Sequence, residues 1–202
     1  MKHWEKILLG AGLVLTCVLS TVLVWNIFHA QAADVTWDNE GGDGLWSTCT
    51  NWTTDTCPGP FHFANFDPGI SNTSSTIDPG FAGTIAGIYI YPGFTGTITQ
   101  ARSLTFDTFF GGGFEMYGGS FAGGADDIID PGFIVADGAS FTSTSGTLNV
   151  SGSVQISSGG TFTHNSGTVV FDCPFIGGFF GTTTTVTFYN ADISCGSDFA
   201  GF

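Results

Sequence analysis

Basic side chains are almost absent. The 202 residues include three, Lys2, Lys6 and Arg102, against 17 acidic residues, of which only Glu5 precedes residue 33. Beyond residue 32 the chain therefore has no lysine and one arginine. Phosphate binding needs Lys and Arg to displace counterions, so nucleic acid and anionic lipid are excluded as partners. A polysaccharide lyase needs a basic group to remove a proton beside a carboxylate, and only Arg102 could supply it. The Gly-x-Ser-x-Gly pattern of a nucleophile elbow is missing. So are the Asn-Thr-Asp, Gly-His-Gly and Arg-x-Lys motifs of polygalacturonase-type glycosidases. His62 and His164 are the only histidines beyond residue 32, and no helical periodicity is found there.

The longest uncharged stretch is also the most ordered. Gly138 to Phe171 holds no acid, Lys, Arg, Cys or Pro, and it repeats on itself. Gly138-Ala139-Ser140-Phe141-Thr142 returns 21 residues later as Gly159-Gly160-Thr161-Phe162-Thr163. Ser145-Gly146-Thr147-Leu148 returns at the same offset as Ser166-Gly167-Thr168-Val169. The offset also carries Phe133 onto Val154 and Phe175, and Val135 onto Ile156. Gly118-Gly119-Ser120-Phe121 echoes Gly138-Ala139-Ser140-Phe141 at a spacing of 20. Within each unit apolar residues alternate with Ser, Thr or Asn, the period of a strand with one face buried. A fixed offset of this length lets like residues stack in successive coils. The expected fold is all-β, a right-handed parallel β-solenoid of about five or six irregular coils. An antiparallel β-sandwich would use many of the same turns.

Upstream, Asp67-Pro68-Gly69, Asp78-Pro79-Gly80, Tyr91-Pro92-Gly93 and Asp130-Pro131-Gly132 predict type II turns that feed strands. Thr84 to Tyr91 and Thr182 to Tyr189 are the strongest strand candidates, and residues 190–202 are poorly patterned. Residues 33–60 carry Trp37, Trp46 and Trp52 among Gly-rich turns. They are expected to cap the first coil, because an open solenoid end would recruit other chains. An aromatic carbohydrate-binding platform is the alternative role for the three tryptophans.

Residues 1–32 have the marks of a targeting segment. Lys2 and Lys6 precede an uncharged apolar run from Ile7 to Phe28, followed by Ala30-Gln31-Ala32. This is the order of a signal peptide, and an uncleaved anchor is the competing reading. Either places residues 33–202 outside the cytoplasm, secreted or at the cell surface, with residues 61–202 as the solenoid body. There Cys49, Cys57, Cys173 and Cys195 are expected to form disulfides, preferably Cys49–Cys57 and Cys173–Cys195, since each pair would staple one end of the body.

Trp37 to Ser47 reads W-D-x-x-G-G-x-G-x-W-S and is followed by Asn51-Trp52, Pro58-Gly59 and repeats of the G-G-T-F-T and S-G-T-V-x-F types. In this it resembles the repeat-rich, autotransporter-like surface proteins of bacteria, whose passenger segments are parallel β-helices. The resemblance implies surface display with adhesive or structural roles, and no catalysis.

Chemistry-bearing residues are few. Asp126, Asp127 and Asp130 could bind calcium through carboxylates and backbone carbonyls, or supply the carboxylate pair of a glycosidase. Asp38, Glu40 and Asp43 form a second candidate calcium cluster. No other cofactor is expected. Asn51, Asn72 and Asn149 match the N-glycosylation pattern. The functional expectation is a non-enzymatic structural or adhesive protein that associates with itself or with a surface glycan. A carbohydrate-binding module and a polysaccharide-degrading glycosidase are the alternatives.

Overall fold

A computed structural model describes residues 33–107, 111–130, 132–172, 179–181 and 185–194, which lie in one compact unit, Ala32–Phe202. The expected targeting segment, Cys173, Cys195 and Phe175 fall outside the described residues. Among the described residues no helix is long and apolar enough to cross a membrane.

The unit is a right-handed parallel β-solenoid with three sheets. Strands are numbered β1 to β18 along the chain. The first sheet contains β1 (Ala33–Thr36), β2 (His62–Phe66), β5 (Gly87–Ile90), β8 (Phe114–Met116), β11 (Phe133–Val135), β14 (Val154–Ile156) and β17 (Phe179–Gly181). The second contains β3 (Ser75–Ile77), β6 (Thr97–Gln100), β9 (Ser120–Ala122), β12 (Ser140–Thr142) and β15 (Thr161–Thr163). The third contains β4 (Thr84–Ile85), β7 (Leu104–Phe106), β10 (Ile128–Asp130), β13 (Thr147–Val150), β16 (Thr168–Asp172) and β18 (Asn190–Ser194). Each coil visits the sheets in the same order, so β2–β3–β4 begins a series of five complete coils that ends at β14–β15–β16. All paired strands are parallel, which excludes the antiparallel sandwich.

The register follows the sequence repeat. Phe141 pairs with Phe162, Leu148 with Val169, Phe133 with Val154 and Val135 with Ile156. The 20-residue echo is the preceding step, Phe121 onto Phe141. The Phe121 and Phe141 rings stack with centroids 4.9 Å apart and planes 6° apart, and Phe141 and Phe162 continue at 5.8 Å and 18°. Phe114 and Phe133 meet Phe141 edge-on at 5.4 and 4.6 Å. Offset and edge-to-face arrangements suit the ring quadrupoles. The regular offset ends after Val154, whose partner in the next coil is Phe179 rather than Phe175. The longer connection breaks the period without breaking the stack.

Several local expectations are corrected. Thr84 to Tyr91 is two strands in two sheets, turning a corner at Ala86. Its apolar residues face the core from both sides of that corner. Gly69 and Gly80 do not have the positive φ of type II turns; of the described Pro-Gly turns only Gly93 does, at 89°. In the other two the Asp carboxylate accepts the glycine N–H, at 2.8 Å for Asp67 and 2.9 Å for Asp78. The side chain thus supplies the turn contact that a type II glycine would otherwise make possible. Two short 3₁₀ turns, Cys49–Asn51 and Thr53–Asp55, occur where no helix was expected.

The C-terminal pattern is also different from expectation. Residues 185–188 are not strand, and the strand falls on Asn190–Ser194. Phe188 instead packs on Phe162 and Phe171, at 5.4 and 5.6 Å, over the last complete coil. Residues 182–184 of the expected strand lie outside the described residues, and Phe188 is used to cover that apolar end. In the second sheet β15 has no strand beyond it among the described residues.

Phe141 sits at the centre of the ring stack and is 1% exposed. Phe141→Ala should cost about 3–5 kcal/mol, read by denaturant unfolding. Ile129→Ala, on the outer face of β10 at 49% exposure, should cost less than about 0.5 kcal/mol.

Candidate functional site

The tryptophan segment closes one end of the apolar interior. Trp37 and Trp46 each meet Trp52 edge-on with centroids 5.1 Å apart, and Trp46 lies 5.8 Å from Phe66. All three indoles are 0% exposed. Their N–H groups are spent inside: Trp37 donates to Thr73 Oγ1, Trp46 to Ser75 Oγ and Trp52 to the Trp46 carbonyl, at 3.0, 3.0 and 3.1 Å. A sugar platform needs an open ring face and a wet polar tip, and these rings have neither. The carbohydrate-binding role given to Trp37, Trp46 and Trp52 is therefore corrected: they form the cap.

The cap is already part of the solenoid. β1 pairs with β2, and Leu45 bridges to Thr76. Within it the buried Asn51 amide is engaged. Buried Asn51 donates to Asp43 Oδ1 at 2.6 Å and to the Leu45 carbonyl at 2.9 Å, and accepts from the Gly42 N–H. Its side chain is committed to the fold, so its sequon is not offered to solvent. The Cys49–Cys57 disulfide is formed within this segment. Asp43 lies below the usual carboxylate range because the Leu45 N–H, Thr48 hydroxyl and Asn51 amide donate to it. These protein donors occupy the carboxylate proposed as a calcium ligand with Asp38 and Glu40.

Asp78 ties the cap to the first coil. The Ser47 N–H and hydroxyl donate to it at 2.9 and 2.7 Å. Burial opposes its charge, but these bonds and the Gly80 N–H outweigh that and hold its pKa down.

Asp126 and Asp127 lie at the exposed turn before β10. The turn is gripped from inside: the Gln100 amide donates to the Asp126 carbonyl at 2.9 Å, and the Thr144 hydroxyl donates to the same oxygen. The Asp127 carboxylate accepts the Thr147 N–H of the next coil at 2.7 Å. This arrangement performs a structural task, registering one corner on the next. The side chain of Asp130 is outside what is described. No group of three or more His, Cys, Asp or Glu suited to a metal ion occurs among the described residues.

The outer face of the first sheet carries a different cluster, which sequence reasoning missed. Strict alternation in Ile88-Tyr89-Ile90-Tyr91 buries the isoleucines and turns both tyrosines outward. Parallel register places Glu115 beside Tyr89, then Ile134 and Gln155 in the following coils. Tyr117 stands two residues beyond Glu115, on the same face. Tyr89 contacts Tyr91 at 4.6 Å and Tyr117 at 5.1 Å between centroids. Tyr91 is 39% exposed. Glu115 also lines a depression of about 270 Å³, together with Gly112, Gly113, Gly132, Ile134 and Ser153 among others. At Gly112 a Cβ would lie 2.8 Å from Phe63 Cε1, so a side chain there would collide with the ring.

The Tyr117 hydroxyl donates to Glu115 Oε2 at 3.1 Å. Burial, the Glu115 charge and this hydrogen bond push the Tyr117 pKa up to about 12. The signal for the cluster, an I-Y-I-Y run and an E-M-Y run, was present in the sequence. Their adjacency follows only from a 26-residue coil that pairs Tyr89 with Glu115.

The fold defines a class: a parallel β-solenoid with a tryptophan cap. Within that class, no protein-family model, curated protein or solved structure matches this chain.

Two expectations follow. Asp78→Ala leaves three donors unpaired and should cost about 1–3 kcal/mol, read by denaturant unfolding at neutral pH. Because the folded pKa of Asp78 is lowered, its contribution is present above the ordinary carboxylate value of 3.8 and is lost as pH falls through the folded value. Tyr117 has the opposite sign. Its contribution is present below pH 10.0 and is lost as pH rises towards about 12. Glu115→Gln should move its absorbance titration to lower pH.

Proposed function

We propose that this protein is an exported, non-enzymatic solenoid with a structural and adhesive role at the cell surface or in the extracellular matrix, in the manner of the autotransporter-like proteins it resembles. The observation that carries the reading is the use made of its side chains. Apolar rows fill the interior from Phe66 to Phe171, and a tryptophan cap closes one end. Of the acidic groups proposed for calcium binding or catalysis, the Asp43 and Asp127 carboxylates accept backbone N–H groups of their own turn or the next coil. What remains for function is the outer surface. Support for export comes from the basic start, apolar run and Ala30-Gln31-Ala32, and from a Cys49–Cys57 disulfide of the kind that persists in oxidising compartments.

The second sheet adds a feature suited to assembly. Its outward positions run Ser74, Thr97, Ser120, Ser140, Thr161 in one row and Thr76, Thr99, Ala122, Thr142, Thr163 in the next. No charge interrupts them, although the chain carries a net charge of −14. Such a face lets neighbouring molecules approach without electrostatic repulsion.

The reading is tested by producing the full chain in a bacterial host and fractionating the cells. Expected are recovery outside the cytoplasm, Cys49 and Cys57 that resist thiol labelling until reduced, and increased attachment of producing cells to a coated surface. Cytoplasmic retention with free thiols and unchanged attachment would overturn it.

A further inference from the structure

We propose that the outer face of the first sheet around Tyr89, Tyr91, Tyr117 and Glu115 binds a neutral polysaccharide. The aromatic rings receive the apolar faces of successive sugar units, and the carboxylates accept their hydroxyl protons. The inference deepens the adhesive reading above and rests on it, by naming the surface and the ligand class through which adhesion occurs.

Four observations converge on this ligand. The first is the residue type. Three of the chain's four tyrosines meet at one place on the outside of the sheet. Tyrosine offers a large, rigid contact area with a polar tip and loses little side-chain entropy when it binds. The second is their arrangement. Tyr89 and Tyr117 lie with planes 33° apart while Tyr91 meets Tyr89 edge-on at 63°, so the touching rings offer adjoining faces and leave no space for a cation between them, as an aromatic cage would. Successive coils are about 4.8 Å apart, close to the advance of one hexose along an extended polysaccharide.

The third is electrostatic. Glu115 is hydrogen-bonded to Tyr117, and Asp34 and Asp67 lie near enough to raise the Tyr91 pKa after burial and Tyr89 have acted. Carboxylates accept hydroxyl protons and repel a polyuronate or a sulfated chain, for which this face has no counter-charge. The fourth is shape. The 270 Å³ depression begins at Glu115 and passes Gly113, Gly132 and Ser153, which belong to successive coils. It therefore runs along the stack, the direction in which Tyr117 follows Tyr91 from one coil to the next. A linear polymer lying along this direction would contact platform and groove together, with Glu115 common to both.

The test uses the purified full chain and isothermal titration with cellohexaose, hexa-N-acetylchitohexaose, polygalacturonate and polylysine. Binding of at least one neutral oligosaccharide is expected, with affinity reduced at least ten-fold in the Tyr89→Ala, Tyr91→Ala double variant. Thr142→Ala on the second sheet should bind as the native chain does. Tyr117→Phe keeps the ring and loses the bond to Glu115, and should weaken binding by only a few fold. Circular dichroism and thermal unfolding establish that each variant is folded. A misfolded double variant is replaced by Tyr91→Ser, whose position is the most exposed of the three. No binding of either neutral oligosaccharide, equal affinity in the ring variants, or binding of polylysine or polygalacturonate alone would overturn the proposal. Attachment of producing cells separates the two readings. If attachment survives the loss of both rings, the glycan face is wrong and the adhesive role stands. If native cells neither export the chain nor attach, the adhesive role fails, while the titration still decides whether the face binds sugar.

Discussion

Stacking of like on like in parallel register is the constraint on which the rest of this molecule depends. A three-residue strand such as β12 makes too few contacts to hold its place alone. Its position is fixed because Phe141 lies between Phe121 and Phe162 while the backbone pairs above and below. A slip by one residue would turn the phenyl ring to solvent and a threonine into the core. The same requirement explains why polar corner residues are spent on carbonyls of the neighbouring coil. Gln100 and Thr144 have no other way to be buried without cost.

A stack has two ends, and the ends obey different rules. At one end three tryptophans supply the area that a missing coil would have supplied, and each indole N–H finds an internal acceptor. At the other, Phe188 lies over Phe162 and Phe171 while β18 continues the third sheet. Pattern reading expected strand through Tyr189, whereas the described residues 185–188 are not strand and the burial demand there falls on Phe188.

Once interior and ends are satisfied, chemistry is confined to the outward rows. On the second sheet these rows are hydroxyls apart from Ala122, and on the first they include the tyrosines and Glu115. The tryptophans attracted attention as a sugar platform because they are large and few. Their burial removes them, and a less conspicuous set of aromatics occupies an accessible face. Of the carboxylates proposed as metal ligands, Asp43 and Asp127 are turn and corner acceptors, the use that Asp78 also shows. An Asp beside Gly in a turn answers to local N–H groups first, and sequence alone does not distinguish that use from a ligand.

The sequence by itself determined the coil. The 21-residue offset and its alternation place each residue of Gly138–Phe171 on an inward or outward row, because both signals are local and periodic. It also favoured a cap role for Trp37, Trp46 and Trp52, through their position before the first repeat, and it made Cys49–Cys57 the preferred local pair; burial of the three indoles then removed the sugar-platform alternative. Only the tertiary structure decided which outward residues meet. Coil lengths vary irregularly outside the repeat, so the step from Tyr89 to Glu115, or from Val154 to Phe179, has no signature in spacing. Those steps are set by whichever connection length lets the next apolar row settle on the last. The surface cluster is a consequence of that packing, and no local pattern records it.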